Sequence, residues 1–184
     1  MEQFTTYLDT IARINALGNG KPVQWFFYPG MLFLSRAKWW GDFKTRASDH
    51  EGIDITYFKT DTDTLGHFDD SIKVPAIADG VILNICNDFL GQTLVVEYEK
   101  DQGSNYRGIV TYAHVETEPF VKIGVFIQKG TVIARVCKTV KNPQLPPHLH
   151  FSCFQVCCDI ASEDLNWNLF SKLNHIHLVN PVFL

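Results

Sequence analysis

Thr93-Leu94-Val95-Val96-Glu97-Tyr98, Gly108-Ile109-Val110-Thr111-Tyr112 and Thr131-Val132-Ile133-Ala134-Arg135-Val136 decide the fold class. Each run is short and rich in β-branched side chains, whose stiff χ1 suits a pleated strand better than a helix. Upstream, Ile53 and Ile55 alternate with Asp54 and Thr56, and Gly80-Val81-Ile82-Leu83 adds a further apolar run. Gly, Asp or Asn breaks the pattern about every ten residues, the rhythm of antiparallel sheets. The expectation is a mainly β protein, an antiparallel sheet or sandwich with short terminal helices.

The helical signals lie at the two ends. Leu8, Ile11, Ala12 and Leu17 form an amphipathic stripe over residues 5–17, stopped by Gly18-Asn19-Gly20. Ser162 is placed to cap a second helix, with Glu163 and Asp164 in its first turn and Leu165, Leu169, Phe170 and Leu173 as its stripe. A last strand is expected from His175 to Val179. Residues 23–40 hold seven aromatics around a Pro29-Gly30 turn and read as strands or loops wrapped on the main body. The chain therefore divides into an N-terminal helix and aromatic-rich extension, residues 1–45, packed on a β domain, residues 46–184.

With 184 residues, 46% apolar and 20% charged, the composition is that of a folded globular chain. Its net charge of −4 argues against a nucleic-acid partner, which a clustered basic excess would mark. No apolar run approaches the ~20 residues that span a bilayer. The N-terminus MEQFTTYLDTIARINALG lacks the basic n-region and apolar core of a secretory signal, so localisation stays open between the cytoplasm, an export route this chain does not show, and a leader outside this sequence. Cys86, Cys137, Cys153, Cys157 and Cys158 are odd in number and read as reduced, mostly buried thiols. A chain of this length needs no metal to fold, so any bound metal reads first as functional.

The chemistry lies in the histidines. In His50-Glu51-Gly52-Ile53-Asp54, Gly52 and two isoleucines oppose a helix. In a strand, His50 and Asp54 share one side while Ile53 and Ile55 take the other. His148-Leu149-His150-Phe151 applies the same rule, with Pro146-Pro147 stiffening the approach. Side by side, two such strands unite His50, Asp54 and one or both of His148 and His150. Two imidazoles and a carboxylate suit a catalytic zinc with a fourth position open for water. His114, in Thr111-Tyr112-Ala113-His114, joins the same cleft as a candidate base or oxyanion donor. Glu51 points away in a strand and receives no role. Cys153 and Cys157 have no matching C-x-x-C partner, and His175-x-His177 has no H-x-x-x-D of its own; both read as structural.

Arg46-Ala47-Ser48-Asp49-His50-Glu51-Gly52-Ile53-Asp54-Ile55 resembles the first motif of the lysostaphin-type (LytM-like) zinc metallopeptidases. Four further segments resemble the family in order. They are Val74-Pro75-Ala76-Ile77-Ala78-Asp79-Gly80, Thr111-Tyr112-Ala113-His114, the hairpin Val125–Ile133, and His148-Leu149-His150-Phe151; Asn180-Pro181-Val182-Phe183-Leu184 looks like the tail. The resemblance implies the duplicated hybrid motif fold and Zn2+ held by His50, Asp54 and His150. It also implies His114 and His148 as catalytic residues that act on the zinc-activated water and the scissile carbonyl. The implied activity is a metalloendopeptidase of peptidoglycan cross-links or stem peptides. Alternatives that stay open are a non-catalytic cell-wall-binding or amidase-activating module, and a cytoplasmic zinc peptidase on another substrate. Residues 138–147 lack the glycines usual before H-x-H, which predicts a stiffer groove wall. The insert with Asp61, Asp63, Asp69 and Asp70 reads as a solvated loop. No motif marks substrate-binding residues or an oligomeric state.

Overall fold

The computed structural model describes residues 4–61, 63–100, 104–138, 144–172 and 176–183, without the side chains of 99 and 100. The first elements are α1 (Phe4–Ile14), β1 (Gln24–Phe26), β2 (Gly52–Ile55), β3 (Tyr57–Lys59), β4 (Leu65–Gly66) and β5 (Lys73–Pro75). Then come β6 (Gly80–Asn87), β7 (Gln92–Lys100), β8 (Tyr106–Thr117), β9 (Phe126–Ile127) and β10 (Val132–Val136). The last are β11 (Leu149–Cys157), α2 (Trp167–Phe170) and β12 (Ile176–Val179).

The large antiparallel sheet is built on β8 and β11, which pair from Tyr106 opposite Cys157 to Ala113 opposite His150. β7, β6 and β9 continue beyond β8. The other side of β11 is shared by two strands: β2 lies along Leu149–Ser152 and β12 along Cys153–Val156. β10 links β5 to the end of β8, and a separate three-stranded sheet holds β1, β3 and β4.

Strand alternation sorts the side chains into two cores. Ile53 and Ile55, Leu94 and Val96, Val110 and Tyr112, and Phe151 and Cys153 enter the main core. The intervening Val95, Ile109, Phe154 and Val156 pack with Leu165 and Phe170. α1 covers the main core with Phe4, Tyr7, Leu8 and Ile11, and Tyr7 donates its hydroxyl to Pro75 O at 3.0 Å. Phe151 sits between the rings of Tyr7 and Tyr112, at 5.3 and 5.4 Å. Burying a side chain of this size contributes about 1.5–3 kcal/mol. The face opposite this core is therefore the one on which β11 presents His150 and Ser152.

Several elements differ from the sequence reading. α1 stops at Ile14; Ala16 turns the chain at φ 51° and Leu17–Gly20 form a 3-10 turn. Of residues 23–40 only Gln24–Phe26 is a strand of the small sheet, and Tyr28 stays half exposed. The acidic insert is not all loop, because β3 and β4 pair within it. Its Asp61 and Asp63 meet Lys21 and Lys59, and Asp69 caps Ser71. Ser162–Asp164 form only a 3-10 turn, and the helical cap is Asn166, whose side chain accepts from Asn168 N. β9 and β10 do not pair with each other, so Val125–Ile133 is not a hairpin: β9 joins β6, and β10 joins β5 and β8. Cys153 is buried, but Cys158 is exposed beyond the end of β11; all five thiols are free. His177 is exposed against Tyr106. Leu173, His175, Leu184 and residues 139–143 of the loop before H-x-H lie outside the described residues.

Candidate active site

Gly52 brings the two histidine-bearing strands together. A Cβ there would stand 2.3 Å from Phe151 O and from Ser152 Oγ, so only glycine lets β2 close on β11 in this register. The register sets His150 directly opposite Asp54. His50, two residues before β2, is anchored by backbone bonds to Leu34 and Ser35.

Three atoms converge as a result. His50 Nε2 is 3.1 Å from Asp54 Oδ1 and 3.0 Å from His150 Nδ1, and His150 Nδ1 is 2.8 Å from Asp54 Oδ1. All three residues are buried. His50 Nδ1 faces Leu32 O at 3.0 Å; a carbonyl only accepts, so Nδ1 carries the proton and Nε2 presents a lone pair. His150 Nε2 lies 2.8 Å from Ser152 Oγ, and donation there leaves Nδ1 as a second lone pair. Burial alone would raise the Asp54 carboxyl, but His50, then His150 and His148, hold it well below the usual carboxylate range. Ligands 2.0–2.1 Å from a tetrahedral ion stand about 3.3 Å apart. The triangle is that of such a set slightly contracted, and its chemistry of two imidazoles and one carboxylate fits zinc.

Two more imidazoles adjoin it. His148 Nδ1 bonds Pro146 O at 2.9 Å, so its Nε2 is the bare nitrogen, 3.9 Å from Asp54 Oδ1. Burial pushes His148 down to about 3 while Asp54 pulls the other way, and the ring is neutral at pH 7. Burial likewise lowers His150 against the opposing Asp54. The rings of His114 and His148 are 4.9 Å apart. A cleft of about 650 Å³ opens over Asp54, His114, His148 and His150, lined also by Trp40, Phe89, Leu145 and Trp167 and by the cations Lys38 and Arg46. Glu51 lines the wall and lies outside the cluster. Asp42 pairs with Lys38 and Lys44.

The family model described as Peptidase family M23 matches residues 48–161, more than half of the chain. The chain belongs to Peptidase family M23. Solved structures similar to this M23 chain include lysostaphin, at 20% identity and a TM-score of 0.43, covering 62% of this chain and 39% of that one. The catalytic domain of the prophage-encoded M23 protein EnpA from Enterococcus faecalis, a mutant form, is 16% identical with a TM-score of 0.47, covering 88% and 91%. A putative peptidase M23 from Pseudomonas aeruginosa is 18% identical with a TM-score of 0.41, covering 95% and 60%. The M23 chain thus spans well under half of the lysostaphin chain. No curated protein matches its sequence.

Sequence reasoning overlooked Asp88, at the tight turn between β6 and β7 of this M23 fold. Its Oδ2 accepts the backbone N–H of His114 at 2.9 Å and the Thr93 hydroxyl at 2.8 Å. Its Oδ1 accepts Leu90 N at 2.8 Å and Gly91 N at 2.7 Å, and faces His114 Nδ1 at 3.1 Å. Burial would raise this carboxyl, yet His114 and the turn amides hold it far below its ordinary value. A carboxylate behind Nδ1 leaves Nε2 as the nitrogen His114 offers to the cleft. His114 itself sits at φ 64°, where the β7–β8 register slips between Gln92 and Leu94. Alternation is broken there: a bulge, rather than strand parity, aims the ring. The turn sequence Asn87-Asp88-Phe89-Leu90-Gly91 was the available signal, since Asp commonly caps its own turn.

Proposed function

We propose that this chain is a zinc-dependent metalloendopeptidase that hydrolyses peptide bonds, with peptidoglycan cross-links or stem peptides as its substrate class. In this reading residues 46–184 are the peptidase domain and residues 1–45 an extension packed on it. His50, Asp54 and His150 are the ligands, and His114 and His148 are catalytic. The reading is carried by one observation: the 2.8–3.1 Å triangle of donor atoms brought together from two distant chain segments. Membership of a peptidase family and the two further imidazoles support it.

A bound zinc supplies Lewis acidity, polarising a carbonyl and making water a stronger acid. The remaining work falls to the chain. His148 stays neutral because it is buried, and its Nε2 is free to accept the proton of the attacking water as general base. Asp88 keeps Nε2 of His114 bare and turned toward the cleft, where the ring takes up the proton that the water gives up and hands it to the leaving amine. Addition of one water across the peptide bond yields one new carboxylate and one new amine. The apolar walls fit a short peptide of small side chains, and Lys38 in the lining suits its carboxylates.

The test incubates zinc-loaded protein with purified muropeptides and follows products by mass spectrometry. Hydrolysis is expected, abolished by chelator. His50→Ala, Asp54→Ala and His150→Ala should lose both zinc and activity; His114→Ala and His148→Ala should keep zinc and lose activity. A zinc-loaded chain without hydrolysis would instead favour a binding module, and full activity in His114→Ala or His148→Ala would refute the catalytic roles.

A further inference from the structure

Trp39 lies outside residues 48–161 that the family model matches. Its indole Nε1 nevertheless donates to Asp54 Oδ2 at 2.6 Å, while Oδ1 of the same carboxylate faces both ligand imidazoles. We infer that Trp39 is a positioning residue for Asp54, an outer hydrogen bond that aims Oδ1 at the metal site, so that the segment before the matched region completes the centre. The inference rests on the metal reading above and deepens it.

The segment is built to deliver this bond. Trp39 is 3% exposed and packs with Met31 and Leu145 in a core cluster of its own. Its ring meets Trp40 and Tyr57 edge-on and stands at 90° to His148, 5.3 Å between centroids. Gly30 lets the chain double back, since a Cβ there would stand 2.8 Å from Ala37 O, Lys38 C and Trp39 N. Ala37 and Thr45 form a bridge that closes the loop. The same segment supplies Leu32 O, which fixes the tautomer of His50. Two of the three candidate ligands are therefore oriented by residues that precede position 48.

An indole suits the task chemically. It donates one hydrogen bond, accepts none and carries no charge, so it orients the carboxylate without opposing a nearby cation. Arg46 also approaches Oδ2, but at 3.4 Å and with its guanidinium 4.6 Å above the Trp40 ring. Outer partners of this kind typically change metal affinity by about 10–100-fold when removed.

The experiment measures zinc affinity of the full chain by competition with a chromogenic chelator. It compares wild type, Trp39→Phe and Trp25→Phe; Trp25 serves as control because its buried Nε1 has no bonding partner among the described residues. Trp39→Phe is expected to bind zinc about 10–100-fold more weakly, with the affinity of Trp25→Phe unchanged, and a cooperative metal-free melting transition shows that each variant is folded. Equal affinity in wild type and Trp39→Phe overturns the inference while leaving the metal reading intact. A wild type that binds no zinc overturns the metal reading, and this inference with it. If Trp39→Phe does not fold, the indole N–H resonance of Trp39 in wild type decides the matter. A shift on adding one equivalent of zinc supports the inference, and an unmoved resonance overturns it.

Discussion

Replacing Asp88 by Asn removes one charge and one acceptor from a carboxylate that faces five donors. Those donors are the amides of Leu90, Gly91 and His114, the Thr93 hydroxyl and His114 Nδ1. If the new amide nitrogen replaces Oδ2, it confronts the His114 amide; if it replaces Oδ1, it confronts two turn amides and the imidazole. Either orientation orphans a buried backbone N–H, at about 1–3 kcal/mol, and the remaining bonds lose their charge assistance. The expected loss is about 2–4 kcal/mol. For a domain of this size that corresponds to a fall in Tm of roughly 4–16 °C. The second consequence is chemical. With an amide donor at Oδ1, His114 is pushed toward the tautomer with its proton on Nε2, the wrong nitrogen for a proton acceptor in the cleft. A tautomer change of this kind in a serine protease costs about 10⁴ in kcat. Thermal denaturation, zinc content and the imidazole ¹⁵N shifts of His114 would be measured on Asp88→Asn beside wild type. Zinc content should be unchanged. A variant that melts within about 2 °C of wild type, with unaltered His114 shifts, would refute the reasoning.

Two further outcomes follow from the buried groups. In metal-free protein, acid should destabilise in two stages. His148, pushed down to about 3, stays neutral when folded, and burial lowers His150 as well, whereas in the unfolded chain both take up protons as pH falls through about 6.5. Their contribution is complete above that pH and drains below it, by about 2 kcal/mol at pH 5 for His148 alone. Asp54 and Asp88, held below their ordinary values, add a second loss below about pH 4, when the unfolded chain protonates first. Urea midpoints that stay flat from pH 7 to pH 5 would contradict the burial argument. Gly52→Ala should force β2 from β11, because its Cβ would meet backbone and Ser152 Oγ at 2.3 Å. A stability loss of at least about 1–3 kcal/mol is expected, with weaker zinc binding, read by urea denaturation and chelator competition; a variant as stable as wild type would show that the strands have room to spare.

Much of this architecture is written locally. β-branched runs at period two announce strands, and the same parity puts His50 with Asp54 and His148 with His150, because alternation needs no knowledge of the partner strand. Ile53, Ile55 and Phe151 then mark the opposite face as core. Where the local signal is short or broken, the reading fails. β3 and β4 hid inside an acidic insert because strands of two or three residues carry almost no periodicity. Asn166 rather than Ser162 caps α2, since capping signals recur and only packing of Phe170 chooses among them.

The amino-acid order alone thus determined the mainly β class, the shared side of His50 with Asp54 and of His148 with His150, and the likeness to a peptidase family. It left undetermined which strands meet. That β11 lies between β8 and β2, with His150 across from Asp54, is settled by long-range pairing and by the bare Cα of Gly52. The bulge that swings His114 into the cleft, the Asp88 turn behind it and the Trp39 indole on Asp54 also depend on tertiary structure. Each joins residues that are 15 or more positions apart in the chain, and hydrogen bonds between distant segments leave no period in the sequence from which to read them.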